Sequence, residues 1–134
     1  MQEHLTIEFL QELLKVSDII SIHTDLNSST QNLIGHKEFE IMKKHAYLIN
    51  TSRGEIINQE ALIQALKMGF IGGAGLDVTT PEPLPPLHPL FKFPNAVITP
   101  HIGSATVEAR NLMASLAAKN IIAGLKGNPL PTGV

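Results

Sequence analysis

Four short apolar segments alternate with segments that have helical features, and this alternation limits what the chain can fold into. The apolar segments are rich in β-branched and other apolar residues, as is typical of buried strands. Strands separated by helices predict βαβ units and a parallel sheet. We therefore expect an α/β fold, a parallel sheet with flanking helices. The predicted strands are Asp18–His23, Ala46–Asn50, Ile71–Val78 and Ala96–Thr99.

The clearest predicted helix begins after Asn58 and ends at Gly69. Asparagine is a favoured N-cap, because its side-chain oxygen accepts a hydrogen bond from an N–H of the first turn. Glycine is the commonest residue just after a helix, where the backbone turns left-handed. Four apolar residues at helical spacing predict the buried face: Ala61, Leu62, Ala65 and Leu66.

Three further helices are predicted. Thr6 is placed to cap a short helix, a second helix lies around Lys37–Lys44, and a long one begins at Ser104 or Thr106 and ends at Gly127. The long helix has an apolar stripe, which is interpreted as core. The stripe consists of Leu112, Met113, Leu116, Ile121 and Leu125.

Composition excludes several classes of function. With 43% hydrophobic and 16% charged residues the chain is globular, and its net charge of −2 comes without the basic stripe of a nucleic-acid-binding protein. There are no cysteines, which excludes thiol catalysis and disulfides. The histidines show no metal-ligand spacing, and no apolar run is long enough to cross a bilayer. We expect no metal, no nucleic acid and no membrane among its partners.

Three residues with complementary chemistry follow predicted strands. Arg53, Glu82 and His101 each lie in a loop punctuated by glycine or proline, and the carboxyl ends of parallel strands are where α/β enzymes place reactive groups. Arginine binds a carboxylate as a fixed fork, histidine donates a proton near neutral pH, and a glutamate orients a histidine and favours its charged form. Glu82 lies in the proline-rich segment Pro81–Pro89, which is predicted to lack regular structure.

The glycines of Ile71–Gly75 do not form a phosphate-binding loop. Gly73 and Gly75 are followed by Val78 where a third glycine is required, and the segment runs from a helix into a strand, the reverse of the required order. Close packing against the strand is the simpler interpretation.

Three longer motifs resemble the D-isomer-specific 2-hydroxyacid dehydrogenases, most closely their glyoxylate/hydroxypyruvate reductase branch. The motifs are Leu76–Pro85 (LDVTTPEPLP), Pro100–Thr106 (PHIGSAT) and Gly124–Gly127 (GLKG). The family fold implied by the resemblance has two α/β domains. This chain resembles only the C-terminal half of the Rossmann-like NAD(P)-binding domain over residues 1–127, with residues 128–134 beginning the return to a substrate domain. The family's G-x-G-x-x-G loop is not found in the sequence.

The resemblance also implies roles. Arg53 matches the arginine that grips the substrate, His101 the general acid/base, and Glu82 the carboxylate paired with that histidine. Asp77 matches the carboxylate that hydrogen-bonds the nicotinamide carboxamide. The implied cofactor contacts are Thr51, Ser52, Arg53, Asp77, His101 and Gly103.

The expected function is hydride transfer between NAD(P)H and a small 2-oxo acid such as glyoxylate or hydroxypyruvate, giving the 2-hydroxy acid. The resemblance to the reductase branch favours NADPH over NADH, and we expect a cytoplasmic homodimer for the intact protein, with mitochondrial or peroxisomal residence left open. The chain is expected to be a fragment of such an enzyme. Two alternatives stay open: a non-catalytic relative that serves as a cofactor-linked interaction module, and a short product that binds full-length partners.

Overall fold

A four-stranded parallel sheet is the centre of the structure, a computed structural model that describes residues 7–133 and, of their side chains, those from residue 9 onward. The strand order is the sequence order, and each strand pairs in parallel with the next. The predicted α/β class and parallel sheet are confirmed; the predicted cap at Thr6 lies outside the described residues. The elements are α1 Ile7–Val16, β1 Ile19–Ile22, α2 His36–Ile41, β2 Tyr47–Asn50, α3 Gln59–Met68, β3 Gly73–Leu76, β4 Ala96–Ile98 and α4 Val107–Leu125, with 3-10 helices at Gly54–Ile56 and Pro89–Lys92.

The chain divides into two compact units, Met1–His101 and Ile102–Val134. In the first unit, α2 packs against both α1 and α3, and one set of alternating strand residues is buried in the same core as these helices. The other set is exposed on β1, whereas on β2 Tyr47 is exposed and Ile49 is half-buried. The core includes Leu14, Phe39 and Leu62 from the helices and Ile20, Ile22, Leu48 and Leu76 from the strands.

Helix α3 forms as its caps predict. The side chain of Asn58 accepts from the N–H of Ala61 at 3.0 Å, and Gly69 ends the helix with φ +68°. The predicted face of Ala61, Leu62, Ala65 and Leu66 is buried.

Each strand is shorter than predicted, most of all β3, which covers Gly73–Leu76 instead of Ile71–Val78. Two other segments also differ from the prediction. The helix expected over Lys37–Lys44 ends at Ile41, because Lys43 and His45 both hydrogen-bond Asp18 at 2.9 Å and shape the turn into β2. The segment Pro81–Pro89 is irregular except at its last residue, where Pro89 begins a 3-10 helix. Proline suits that first helical position because its fixed φ is already helical and no N–H is needed there.

Close packing is confirmed at the glycines of β3. A Cβ on Gly73 would lie 2.5 Å from the carbonyl oxygen of Asn95 and 2.8 Å from the ring of Tyr47. The neighbouring strands therefore approach too closely for any side chain at this position.

The second unit contains α4, which begins after Thr106 and ends before Gly127. The side chain of Thr106 accepts from the N–H of Ala109 at 3.1 Å, as predicted for an N-cap. The interpretation of its apolar stripe as core is wrong, since α4 has no buried residue. Its apolar residues are spread around the helix axis instead of forming one stripe, so helical spacing alone was a poor guide.

Candidate active site

His101 and Glu82 form a hydrogen-bonded pair at the carboxyl edge of the sheet. His101 Nδ1 lies 2.6 Å from Glu82 Oε1, and both side chains are about half exposed. The other carboxylate oxygen, Oε2, accepts from the backbone N–H of Thr79 at 3.3 Å. The hydrogen bond from His101 lowers the pKa of Glu82 below its ordinary value of 4.5, and the Thr79 N–H lowers it further. Burial and the negative charge of Asp77 oppose this shift but do not cancel it.

The backbone of His101 is in the left-handed region, with φ +54°. Its N–H donates to the carbonyl oxygen of Thr99 at 3.0 Å, so the chain turns sharply just after β4. A non-glycine residue in this region costs about 1–3 kcal/mol, and such residues cluster at functional sites. The turn directs the imidazole toward Glu82, and the left-handed backbone of His101 is the conformational cost of that orientation.

Asp77 follows β3 and is nearly buried, at 7% exposure. The hydroxyl of Thr99 donates to its Oδ1 at 2.6 Å, and its backbone N–H donates to the carbonyl oxygen of Asn50 at 2.9 Å. Because β2, β3 and β4 are parallel neighbours, the residues that follow them meet at one edge.

The Arg53 segment is held by Asn50, the last residue of β2, which is fully buried. Its Nδ2 donates to the carbonyl oxygen of Arg53 at 2.8 Å, and its Oδ1 accepts from the N–H of Ser52 at 3.0 Å. The hydroxyl of Ser52 donates to the carbonyl oxygen of Thr24. The guanidinium of Arg53 is exposed, and its Nη1 donates to the Ser52 carbonyl oxygen at 2.7 Å.

Gly54 places the Arg53 segment directly against the turn that carries Glu82. A Cβ at Gly54 would lie 2.2 Å from the carbonyl oxygen of Thr79 and 2.7 Å from Oγ1 of Thr80. Only glycine permits this approach, so the two segments share one backbone contact.

A cavity of about 400 Å³ brings some of the predicted site residues together. Asp77, Glu82 and His101 line it, whereas Thr51, Ser52 and Arg53 are not among the lining residues in the described part of the chain. Gly103 lies in the second unit, in an exposed turn before α4. The rest of the lining is mostly apolar: Thr79, Pro83, Leu84, Phe91, Ile98, Thr99 and Pro100.

Sequence reasoning missed four residues that support this site: Asn50, Gln59, Thr79 and Thr99. Asn50 carried a signal, because an asparagine shortly before a turn commonly bonds the backbone that follows. The others bond across 20 or more residues or to a neighbouring carboxylate, which no local pattern shows.

Within residues 7–133, no helix is long and apolar enough to span a membrane. The same residues contain no group of three or more histidine, aspartate and glutamate side chains placed to hold a metal ion.

In open parallel α/β sheets ligands bind at the carboxyl ends of the strands, and there this chain places the buried Asp77 and the Glu82–His101 pair. Residues 1–103 match the family described as D-isomer specific 2-hydroxyacid dehydrogenase, NAD binding domain. The chain belongs to this family.

Two named relatives are reductases. The chain is 57% identical over 122 residues to a glyoxylate reductase of Thermofilum pendens, covering 91% of this chain and 36% of that protein. It is 51% identical over 123 residues to a glyoxylate reductase/hydroxypyruvate reductase of Mus musculus, covering 92% of this chain and 38% of that protein. The chain thus spans little more than a third of the length of these relatives.

Solved structures with the same fold include cofactor complexes. D-lactate dehydrogenase with NAD+ from Lactobacillus jensenii matches with a TM-score of 0.85 and 36% identity, over 92% of this chain and 41% of that one. An acyclic imino acid reductase in complex with NADPH and D-Arg matches with a TM-score of 0.84 and 36% identity, over 93% of this chain and 40% of that one. Proteins of this fold therefore bind either NAD+ or NADPH.

Proposed function

We propose that this chain supplies the proton-transfer and substrate-binding residues of an NAD(P)-dependent enzyme that reduces a 2-oxo acid to the 2-hydroxy acid. Glyoxylate or hydroxypyruvate is the proposed substrate, in keeping with the names of the two relatives. The observation that carries the proposal is the contact between Glu82 and His101, at 2.6 Å, in a cavity also lined by Asp77.

His101 is the proposed proton donor. Glu82 as a carboxylate only accepts hydrogen bonds, so Nδ1 of His101 must carry the hydrogen between them. This leaves Nε2 to deliver a proton to the substrate carbonyl oxygen. Glu82 accepts the hydrogen of Nδ1 and so orients the imidazole while Nε2 transfers its proton. In the balanced reaction one hydride goes to the carbonyl carbon and one proton goes to the carbonyl oxygen.

Arg53 is the proposed substrate-binding residue. One of its five N–H groups donates to the Ser52 carbonyl oxygen, and the rest of the guanidinium is exposed. A guanidinium binds a carboxylate through two parallel hydrogen bonds, which fixes orientation as well as position. Asn50 holds the backbone of this segment in place before substrate arrives.

The residues present fit the nicotinamide end of NAD(P). Asp77 offers a carboxylate for the N–H groups of a carboxamide, held by the Thr99 hydroxyl, and the adjoining cavity wall is apolar, as a flat ring requires. When bound, the reduced nicotinamide supplies the hydride. We propose Thr51, Ser52 and Gly103 as further contacts to that end of the cofactor, and NADPH as the preferred form.

We also propose the domain bounds of this chain and the oligomeric state and location of the intact enzyme. Residues 1–127 form the C-terminal part of the NAD(P)-binding domain, and residues 128–134 begin the segment that returns toward a substrate domain. The intact enzyme is a cytoplasmic homodimer without nucleic-acid or membrane partners.

The test is a chimera in which this chain replaces the matching segment of the Thermofilum pendens glyoxylate reductase. We expect the chimera to oxidise reduced nicotinamide when glyoxylate or hydroxypyruvate is supplied. His101→Ala and Arg53→Ala should remove most turnover, whereas His36→Ala, at an exposed position on α2, should not. A well-folded chimera that is inactive, or one that keeps its rate in either site variant, would sink the proposal.

The cofactor preference and the chain length of the intact enzyme are to be measured on the native polypeptide. Captured from its source with an antibody to α4, it should be much longer than 134 residues and turn over faster with NADPH than with NADH. A native polypeptide of 134 residues would contradict the proposal and favour a short product that binds full-length partners.

A further inference from the structure

Gln59, the first residue of α3, holds both backbone polar groups of Thr80. Its Oε1 accepts from the Thr80 N–H at 3.0 Å, and its Nε2 donates to the Thr80 carbonyl oxygen. The two residues are 21 positions apart in the chain. One side chain with two bonds to one residue fixes the orientation of that peptide segment as well as its position.

Thr80 lies inside the turn that presents Glu82. Its neighbour Thr79 donates its N–H to Oε2 of Glu82 at 3.3 Å and its hydroxyl to the carbonyl oxygen of Pro81 at 3.0 Å. Glu82 in turn bonds His101. Gln59 is therefore linked to the imidazole through its bonds to Thr80, the peptide bond between Thr80 and Thr79, and the hydrogen bonds of Thr79 and His101 to Glu82.

The segment that carries Glu82 has few backbone N–H groups with which to stabilise its own conformation. Five of the nine residues from 81 to 89 are proline and have no N–H to donate. Such a segment needs partners from outside. Gln59 supplies them at Thr80, and its Nε2 also lies 3.3 Å from Nε2 of His88 near the other end of the segment.

We propose that Gln59 is a positioning residue for the Glu82–His101 pair. It does not touch the pair; it acts through the backbone of Thr80. This proposal rests on the proposed function of His101 as the proton donor, and it deepens that function by naming what fixes the pair.

Gln59 also lies close to both the Arg53 segment and the turn that carries Glu82. It follows Arg53 by six residues, on the helix that begins just after the 3-10 helix Gly54–Ile56. Gly54 is in contact with Thr79, next to the residue that Gln59 holds. The Arg53 segment and the Glu82 turn are therefore joined at adjacent points.

The first measurement is the titration of the Glu82 carboxyl by carbon NMR in the full chain. In Gln59→Ala we expect the pKa of Glu82 to rise toward its ordinary value of 4.5, because the turn no longer holds the Thr79 N–H and His101 in place. The matched control is Gln64→Ala, an exposed glutamine on the same helix, which should leave it unchanged. If Gln59→Ala disrupts the fold, Gln59→Met removes the same two bonds and keeps most of the side-chain volume.

The second measurement is kinetic, in the chimera. Gln59→Ala should lower kcat by about 10²-fold, the loss expected when a reacting group moves by about 1 Å, with a smaller change in KM. Gln59→Glu keeps the acceptor for the Thr80 N–H but turns a carboxylate oxygen, which cannot donate, toward the Thr80 carbonyl oxygen, so it should not restore the rate. Equal behaviour of the Gln59 and Gln64 variants in both measurements would overturn the proposal. An inactive parent chimera with a shifted Glu82 titration would instead refute the proposed function and leave the positioning role standing.

Discussion

Replacing Gly54 by alanine tests whether direct packing holds the Arg53 segment against the Glu82 turn. The new Cβ would lie 2.2 Å from the Thr79 carbonyl oxygen and 2.3 Å from its carbonyl carbon, whereas ordinary contact begins at 3.4 Å. The neighbours are backbone atoms, so no side-chain rotation can relieve the overlap. The two segments must separate by about 1 Å.

The size of the effect follows from that separation. Forcing extra volume into a packed position costs about 1–3 kcal/mol in the free energy of unfolding, which urea titration of the full chain measures. Because Thr79 donates to Glu82, the displacement also reaches the Glu82–His101 pair. A shift of about 1 Å predicts a loss of about 10²-fold in the kcat/KM of the chimera with glyoxylate.

Gly69→Ala is the matched control. Gly69 ends α3 with φ +68° and has open space where a Cβ would go, so alanine there costs about 1–2 kcal/mol through the left-handed backbone alone. It should lower stability by a similar amount without moving the Glu82 turn. If Gly54→Ala loses no more activity than Gly69→Ala, close packing does not position the site, and the reasoning fails.

Three further predictions concern charge, capping and association. Glu82→Gln should lower the free energy of unfolding by less than about 1 kcal/mol, since the Glu82–His101 pair is half exposed. The pKa of Glu82 is lowered in the folded chain, so the carboxylate stabilises the fold above pH 4.5. This stabilisation is lost as the pH falls through the pKa of the folded chain. Urea titrations at about pH 7 and about pH 3 should therefore show the difference shrinking in acid, and a difference that grows would contradict the assignment. Asn58→Ala should cost about 1 kcal/mol through the lost N-cap, read from urea or thermal unfolding, and an unchanged midpoint would argue against the cap. The chain should associate in light scattering, because β1 pairs on one side only among the described residues and Ile19 and Val97 are 70% and 65% exposed; Ile19→Lys with Val97→Lys should reduce association, and a monomeric parent chain would refute the idea.

The parts of the fold that the sequence predicts are those with local causes. Asn58 and Gly69 bound α3 because a cap bonds its own first turn and a left-handed residue ends its own helix. Strands β1 and β4 are recognisable from short runs with β-branched residues, and the glycines in β3 correctly indicate close packing.

The parts that could not be predicted depend on contacts between distant residues. Helix α2 ends early because Asp18 binds Lys43 and His45, which lie 25 and 27 positions away. The hold of Gln59 on Thr80 is of the same kind. The prediction of an apolar stripe on α4 failed for another reason, since its apolar residues are spread around the helix axis and none of them is buried.

In the candidate site, too, local sequence indicates the side chains, whereas most of the contacts that hold them come from other residues. The sequence indicates the three groups themselves, Arg53, Glu82 and His101, because each follows a strand in a loop of unusual composition. What fixes them acts mostly on backbone atoms: Asn50 bonds the carbonyl oxygen of Arg53, and Gln59 bonds both polar groups of Thr80. Because these partners bond the backbone, most of the Arg53 guanidinium and Nε2 of His101 are left for the substrate contacts that we propose. A support of this kind cannot be found by searching the sequence for reactive residues. It can be tested separately from the chemistry, since Gln59 is removed without changing any group that we propose to touch the substrate.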